Sequence, residues 1–420
     1  MLISSTHRSD SYPSEFVALP PAHPLYILYS SGTTGAPKAI VHSALGTLIQ
    51  HKKEHVLHCS IKPRDRVFYF TTTTWMMWHW LISALASGAT LILYDGSPFY
   101  PHGELSMPKL ISAQKITHFG TSAKYLSILE QKDCRPAEDK SIDLSSLEAI
   151  YSTGSPLAPS TFRYVYNNFP TTINLGSITG GTDIVSLFGA PCPLLPVHSG
   201  EIQCAGLGMN IVSLLPTPPF TQITDGEAGD LFCLSPFPCQ PVTFWGKDGM
   251  SKYQKSYFEV LDGKWHHGDF VSFNPKTNGI KMLGRSDGVL KPSGVRFGSA
   301  EIYNVLLKHF SHQVEDSLCI GRRRVTDHDE TVVLFLKLVE GVEFSDELVH
   351  KVKSRIRKEL SARHVPGVVD RCWEIPVTTN GKKVEVAVKQ IISGVGSGKV
   401  SASVANAECL EWFREWARTH

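Results

Sequence analysis

The stretch that most narrows the choice of fold is Ser30-Ser31-Gly32-Thr33-Thr34-Gly35-Ala36-Pro37-Lys38. It stands between the apolar run Leu25-Tyr26-Ile27-Leu28-Tyr29 and a stretch of helical character over residues 47–59. Its glycines let backbone N–H groups turn toward an anion, its hydroxyls add donors, and Lys38 adds a positive charge. The GxxxxGK[ST] spacing of a Walker A loop is absent. The pattern predicts a strand, an anion-facing loop and a helix.

The alternation continues through residue 190. Short apolar runs at Val67-Phe68-Tyr69-Phe70, Thr90-Leu91-Ile92-Leu93-Tyr94, 116–119, Ala149-Ile150-Tyr151 and Thr172-Ile173-Asn174 alternate with helix-length stretches, which predicts parallel α/β layering. Over 198–286 short β-type runs are separated by Pro and Gly clusters, with a hairpin turn at Lys276-Thr277-Asn278-Gly279. This predicts a small barrel or other β-rich subdomain. Beyond Asp287 the pattern is α+β, with a helix over 299–310, a strand over 331–338 and a helix over 345–363 capped by Ser345. Lys351, Lys353, Arg355, Arg357 and Lys358 read as the solvated face of that last helix. The expected organisation is a flexible segment 1–24, a large α/β domain 25–286 containing the β-rich part, and a small mobile α+β domain 287–420, with a flexible Gly/Ser/Ala-rich stretch at 393–406.

Lys and Arg total 41 against 39 Asp and Glu, so a protein that tracks nucleic-acid phosphates is excluded for want of a basic excess. No run of about 18 apolar residues predicts a membrane span. Residues 1–24 are polar and Pro-rich, without the apolar centre of a signal peptide. Nine cysteines without a CxxC pair point to a reducing compartment, the cytosol. His51, His55 and His58, followed by Cys59, share one helix face; they read as a polar face in preference to a zinc site, because no acidic partner stands at metal spacing. The Gly-x-Ser-x-Gly elbow of a serine hydrolase is absent.

Residues 30–38 resemble the phosphate loop of the adenylate-forming enzymes: acyl-CoA synthetases, adenylation domains and luciferases. Four further stretches match in that family's order. They are Thr179-Gly180-Gly181-Thr182-Asp183, Trp265-His266-His267-Gly268-Asp269, Gly284-Arg285-Ser286-Asp287 continuing through Gly294-Val295-Arg296 to Glu301, and Pro376-Val377-Thr378-Thr379-Asn380-Gly381-Lys382. Within the family, Trp75-Met76-Met77-Trp78 and Ile178-Thr179-Gly180-Gly181-Thr182-Asp183 are similar to ligases of the acetoacetyl-CoA synthetase type.

The resemblance implies a carboxylate, acetoacetate or else another acid of a secondary-metabolite pathway, attacking the α-phosphorus of ATP, followed by coenzyme A thiolate attacking the acyl-adenylate. Ser30, Ser31, Gly32, Thr33, Thr34, Gly35 and Lys38 would hold the β- and γ-phosphates. Thr182 would bind the α-phosphate and Asp183 would hold Mg²⁺. Gly154, Ser155 and Pro156 would line the adenine. Asp269 would accept from the ribose hydroxyls beside Arg285, and Arg296 would contact phosphate. Lys382 would bridge the attacking carboxylate and the α-phosphate. Asp287 would be the hinge that withdraws Lys382 and brings Gly294 toward the pantetheine. Thr179 and Gly180, where acetate-specific relatives carry bulk, would leave room for a 3-oxo acid, with Trp75 lining that pocket. Read alone, Asp269 fits a turn, Arg285 a surface ion pair, Gly180 a turn glycine, Trp75 a core residue, and Lys383 competes with Lys382; Pro376 and Gly381 set the register in favour of Lys382. The family's large N-terminal segment is missing ahead of the loop. Its absence predicts exposed apolar sheet faces, a partner chain or oligomer to cover them, or a remnant that binds nucleotide without catalysis.

Overall fold

The computed structural model describes residues 17–30, 37–378, 381–395 and 404–420. Loop residues 31–36, with Thr379, Asn380 and most of 1–24 and 393–406, lie outside the described residues. The molecule is α/β, with several sheets and ten α-helices among the described residues.

The centre is a five-stranded parallel sheet in the order Thr90–Ile92, Arg66–Tyr69, His118–Ser122, Ala149–Thr153, Asn174–Ser177. Its interior strands are nearly continuous apolar or small residues, as a sheet covered on both faces requires. Met76–Ser83, with Trp75, Met77 and Trp80, packs one face; Ala123–Gln131 and Pro159–Asn168 pack the other through Leu126, Leu129, Phe162 and Val165. The sheet faces are therefore closed, contrary to expectation. Exposed apolar residues of this region include Leu45, Leu48 and Ile49 on one side of the helix after the loop, Val56 and Leu57 further along, and Leu85 and Leu93 near the sheet's edge strand.

The first hairpin also departs from the sequence reading. The strand Pro24–Ser30 is not part of the parallel sheet. It pairs antiparallel with Lys38–Ser43, Ser30 opposite Lys38, and Thr243–Phe244 joins on the other edge. The loop thus connects two strands, and the helix Ala44–Lys53 starts only after the second. Six residues of β pattern run directly into a helix there, too short a signal to separate the two periods.

The β-rich part is an open four-stranded antiparallel sheet, Ile211–Leu214, Ala228–Cys233, Trp265–Phe273, Ile280–Arg285, rather than a barrel. Asn278 supplies the positive φ of the hairpin turn. A separate sheet of Thr179–Gly181, Ser186–Ala190 and Cys204–Ala205 lies beside it.

After Asp287, Ser299–Phe310 and Asp346–Glu359 flank a sheet of Val314–Arg322, Thr331–Leu338 and Val368–Cys372. Ser345 accepts the Leu348 N–H at 3.3 Å, and Leu348, Val352 and Ile356 bury the apolar side of the second helix. The core of this region, from Leu290 to Trp416, consists of its own residues. All nine cysteines are unpaired. No helix among the described residues is long and apolar enough to cross a membrane.

Candidate active site

The loops that end the short strand Thr179–Gly181, the strand Trp265–Phe273 and the strand Ile280–Arg285 meet beside the first hairpin. Asp183 sits at the centre. Its Oδ1 lies 3.6 Å from Lys38 Nζ and accepts a hydrogen bond from the Tyr257 hydroxyl. Tyr257 stacks flat on Trp265, with centroids 3.8 Å apart, and Lys38 Nζ is 4.8 Å from the Tyr257 ring centre. Burial opposes ionisation of Asp183, but Lys38, His267, the Tyr257 hydroxyl and Arg285 outweigh it and hold its pKa at about 2. Lys38 and Asp183 are thus preset as a charged pair. The rest of the loop, Ser31 through Gly35, is outside the described residues, while Ser30 closes the hairpin.

Asp269 is 5 % exposed and fully engaged. Arg285 Nη1 donates to Oδ1 at 2.9 Å, and Thr179 Oγ1 donates to Oδ2 at 3.3 Å. His267 Nε2 stands 3.7 Å from Oδ2. Burial lowers the His267 pKa, with Asp269 and Asp183 pulling against it. Gly268, at φ +78°, is required here: a Cβ would meet Arg285 Nη2 at 2.9 Å, on the path by which the guanidinium reaches Asp269.

Lys382 lies within electrostatic reach of this cluster. Desolvation lowers its pKa, Asp269 and Asp183 raise it, and Arg285 lowers it, although the residue keeps solvent exposure. Its backbone is fixed by Thr378, whose N–H donates to Lys382 O at 2.8 Å and whose Oγ1 accepts from Lys382 N at 3.2 Å. Lys383 is committed elsewhere: Nζ is 2.8 Å from Asp316 Oδ1 and 3.9 Å from the Tyr303 ring centre. Thr182 is half-buried next to Asp183. Gly154, at φ +96°, leads from the strand Ala149–Thr153 into exposed Ser155 and Pro156, and only Trp75, at 3.7 Å, would meet a Cβ on it. Asp287 lies 3.8 Å from Arg285 Nε. Gly294, at φ +79°, closes a turn whose Ser293 N–H and hydroxyl donate to Asp329.

Three expectations are corrected. Arg296 is held away from the cluster: Nη2 donates to Asp230 Oδ1 at 2.6 Å and the guanidinium lies over Phe270, because buried Asp230 needs a counter-charge. Gly180 does not open onto a pocket, since a Cβ there would meet Ser186 O at 2.1 Å and Leu187 Cα at 2.7 Å. Thr179 points at Asp269. The open glycine is Gly181, where a Cβ would meet nothing nearer than Asp183 and His267 at 3.6 Å. Finally, His51, His55 and His58 do not form a polar surface; all three are buried. Among the described residues no group of three or more His, Cys, Asp or Glu side chains is placed to hold a metal ion.

Tyr257 and His267 are the site residues that sequence reasoning missed. His267 lay inside a recognised motif. Tyr257 is at the end of the helix Gly249–Tyr257, and nothing in its local sequence points at Asp183.

The site therefore holds an acid and a lysine paired beside a hairpin, a second buried acid bonded to arginine, and a lysine of the C-terminal region within electrostatic reach of both acids. The sequence profile of the AMP-binding enzyme family matches residues 2–204. The chain is 55 % identical over 96 % of its length to malonamoyl-CoA synthetase of Penicillium aethiopicum and 51 % identical over 90 % to acetoacetyl-CoA synthetase of Danio rerio. The solved acetoacetyl-CoA synthetase from Streptomyces lividans matches 96 % of the chain with TM-score 0.87 and 39 % identity. The chain spans 56 %, 55 % and 60 % of those three proteins respectively.

Proposed function

We propose that the chain is an AMP-forming acid–CoA ligase. It activates a short acid of the form HOOC–CH₂–C(=O)–X with ATP and passes the acyl group to coenzyme A. The observation that carries this reading is the cluster in which Lys38 pairs with Asp183 and Arg285 with Asp269, with Lys382 within electrostatic reach of both acids. Adenylation needs positioning and charge neutralisation more than covalent help from the protein. Lys38 and the loop hold the outer phosphates, Thr182 the α-phosphate, and Asp269 with Arg285 the ribose side. Lys382 brings the carboxylate and the α-phosphate together and neutralises charge as the bond forms. Asp183 suits Mg²⁺: it is ionised, it is a hard oxygen donor, and one carboxylate with substrate phosphates is a usual magnesium environment. The ion would supply neutralisation of the phosphate charge.

For the second half we propose that residues 287–420 turn as a unit about Asp287, withdrawing Lys382 and bringing Gly294 toward the pantetheine. The cytosol is the compartment that suits nine unpaired cysteines. Acetoacetate and malonamate have the same shape, with X a methyl in one and an amide in the other. The relative named for malonamoyl-CoA favours the amide as a second reading.

The test is acid-dependent ATP–pyrophosphate exchange across acetate, acetoacetate, malonamate, butyrate and aryl acids. Exchange should peak with one of the two isosteric acids and fall at least ~10²-fold in Lys382→Ala, the order seen when a transition-state charge partner is removed. Folded wild-type protein without exchange on any acid would make the chain a nucleotide binder without catalysis.

A further inference from the structure

Asp183 sits on a strained turn. Val185, two residues on, is fully buried with φ +50°, a conformation that a β-branched residue holds only when its surroundings enforce it. The turn's own hydrogen bonds are weak in geometry: Ile184 N–H to Gly181 O at 3.2 Å and Val185 N–H to Thr182 O at 3.3 Å. The enforcement comes from behind, where the helix Ala44–Lys53 passes into a π-helical turn, Glu54–His58. Such turns recur at functional sites.

His51 and Glu54 are both 0 % exposed. His51 Nε2 is 2.5 Å from Val185 O. A carbonyl only accepts, so Nε2 carries the proton. Burial lowers the ring's pKa, and Nδ1 lies 2.8 Å from Ser83 Oγ, whose own proton goes to His79 O at 2.8 Å. Glu54 Oε1 accepts from the Ser186 hydroxyl and from Leu187 N at 3.4 Å, while Oε2 accepts from Trp80 Nε1 at 2.9 Å. The three residues after the turn's apex are thus gripped in succession, through a carbonyl, a hydroxyl and an amide. Neither His51 nor Glu54 reaches the cleft.

We propose that His51 and Glu54 are positioning residues for the adenylation site: they hold the Val185 turn in its left-handed form and so set where Thr182 and Asp183 present their oxygens. This rests on the reading of Thr182 and Asp183 as phosphate and magnesium residues. The experiment compares wild type, His51→Leu, His51→Gln and Glu54→Gln in both half-reactions, with thermal unfolding alongside. His51→Leu and Glu54→Gln should raise the Mg²⁺ concentration for half-maximal pyrophosphate exchange at least fivefold. Thioester formation from supplied acyl-adenylate should change less than twofold. His51→Gln, whose amide still donates to Val185 O, should stay within twofold of wild type in both. If His51→Leu fails to fold, Glu54→Gln against His51→Gln decides. Equal losses in both half-reactions with an unchanged Mg²⁺ requirement would overturn the positioning role and leave the ligase reading intact. A folded wild type with neither exchange nor Mg²⁺-dependent ATP binding would overturn both.

Discussion

A single methyl group separates two adjacent glycines. At Gly180 it would enter the backbone of Ser186 and Leu187, which cannot yield, whereas at Gly181 it would touch Asp183 and His267 at ordinary contact distances of 3.6 Å. Gly180→Ala should therefore cost about 1–3 kcal/mol as an overpacked site, and Gly181→Ala under ~1 kcal/mol. Urea unfolding of the two variants checks this, and equal costs would remove the distinction. Gly181→Ala is also the change that reaches the acids of the cleft, so it should impair adenylation in protein that still unfolds like wild type. The sequence motif marks the right five residues but not which glycine faces the cleft, because a bulge between Thr179 and Gly180 shifts the strand register. Tyr257 was illegible for a related reason. Its hydrogen bond to Asp183 spans 74 residues, and a local pattern carries no information at that range.

At the scale of elements, long periodic segments were read correctly: Ser299–Phe310 and Thr331–Leu338 match expectation residue for residue. The hairpin–helix unit behind the phosphate loop was misread because histidine was counted as polar. Here it is a core residue. His58 donates from Nδ1 to Pro191 O and accepts Leu207 N–H at Nε2, both at 2.9 Å, and such distant partners leave no trace in a helical wheel. His42, on the strand Lys38–Ser43, is 0 % exposed with neither ring nitrogen hydrogen-bonded. Burial pushes its pKa to about 4, with Asp183 pulling the other way. The sign follows: the unfolded chain binds a proton near pH 6.5 that the folded chain refuses until about pH 4. The stability due to neutral His42 is complete above pH 6.5 and is lost as pH falls through that window. Between pH 7 and pH 5 the loss from this residue is about 2 kcal/mol. His51, His55 and His118 are shifted in the same direction and steepen the decline. Urea unfolding at pH 7 and pH 5 should show His42→Leu losing about 2 kcal/mol less than wild type; parallel losses would show that His42 is protonated in the folded state.

At the scale of the whole molecule, the question is what ties the C-terminal region that carries Lys382 to the large region. Asp316, on the strand Val314–Arg322, is shared by two lysines: Lys383 Nζ at 2.8 Å and Lys124 Nζ at 2.9 Å. Burial raises its pKa, but the two ammonium groups outweigh it and keep the carboxylate ionised. Lys383 adjoins Lys382, whereas Lys124 belongs to the helix Ala123–Gln131 that packs the parallel sheet. One carboxylate therefore ties the lysine segment to the large region. A turn about Asp287 that withdrew Lys382 would have to break the Lys124 bond and would leave the Lys383 bond intact. Lys124 is 42 % exposed, so the pair is worth about 0.5–1 kcal/mol after solvent screening. Lys124→Ala should then slow adenylation by roughly two- to fivefold and leave thioester formation from supplied adenylate unchanged or faster. Lys124→Glu, which sets two carboxylates against each other, should widen the split. Single-turnover rates of the two half-reactions measure it, and raising the salt concentration should bring wild type toward Lys124→Ala. A common slowing of both halves would mean that the pair supports the fold rather than the choice between its two arrangements.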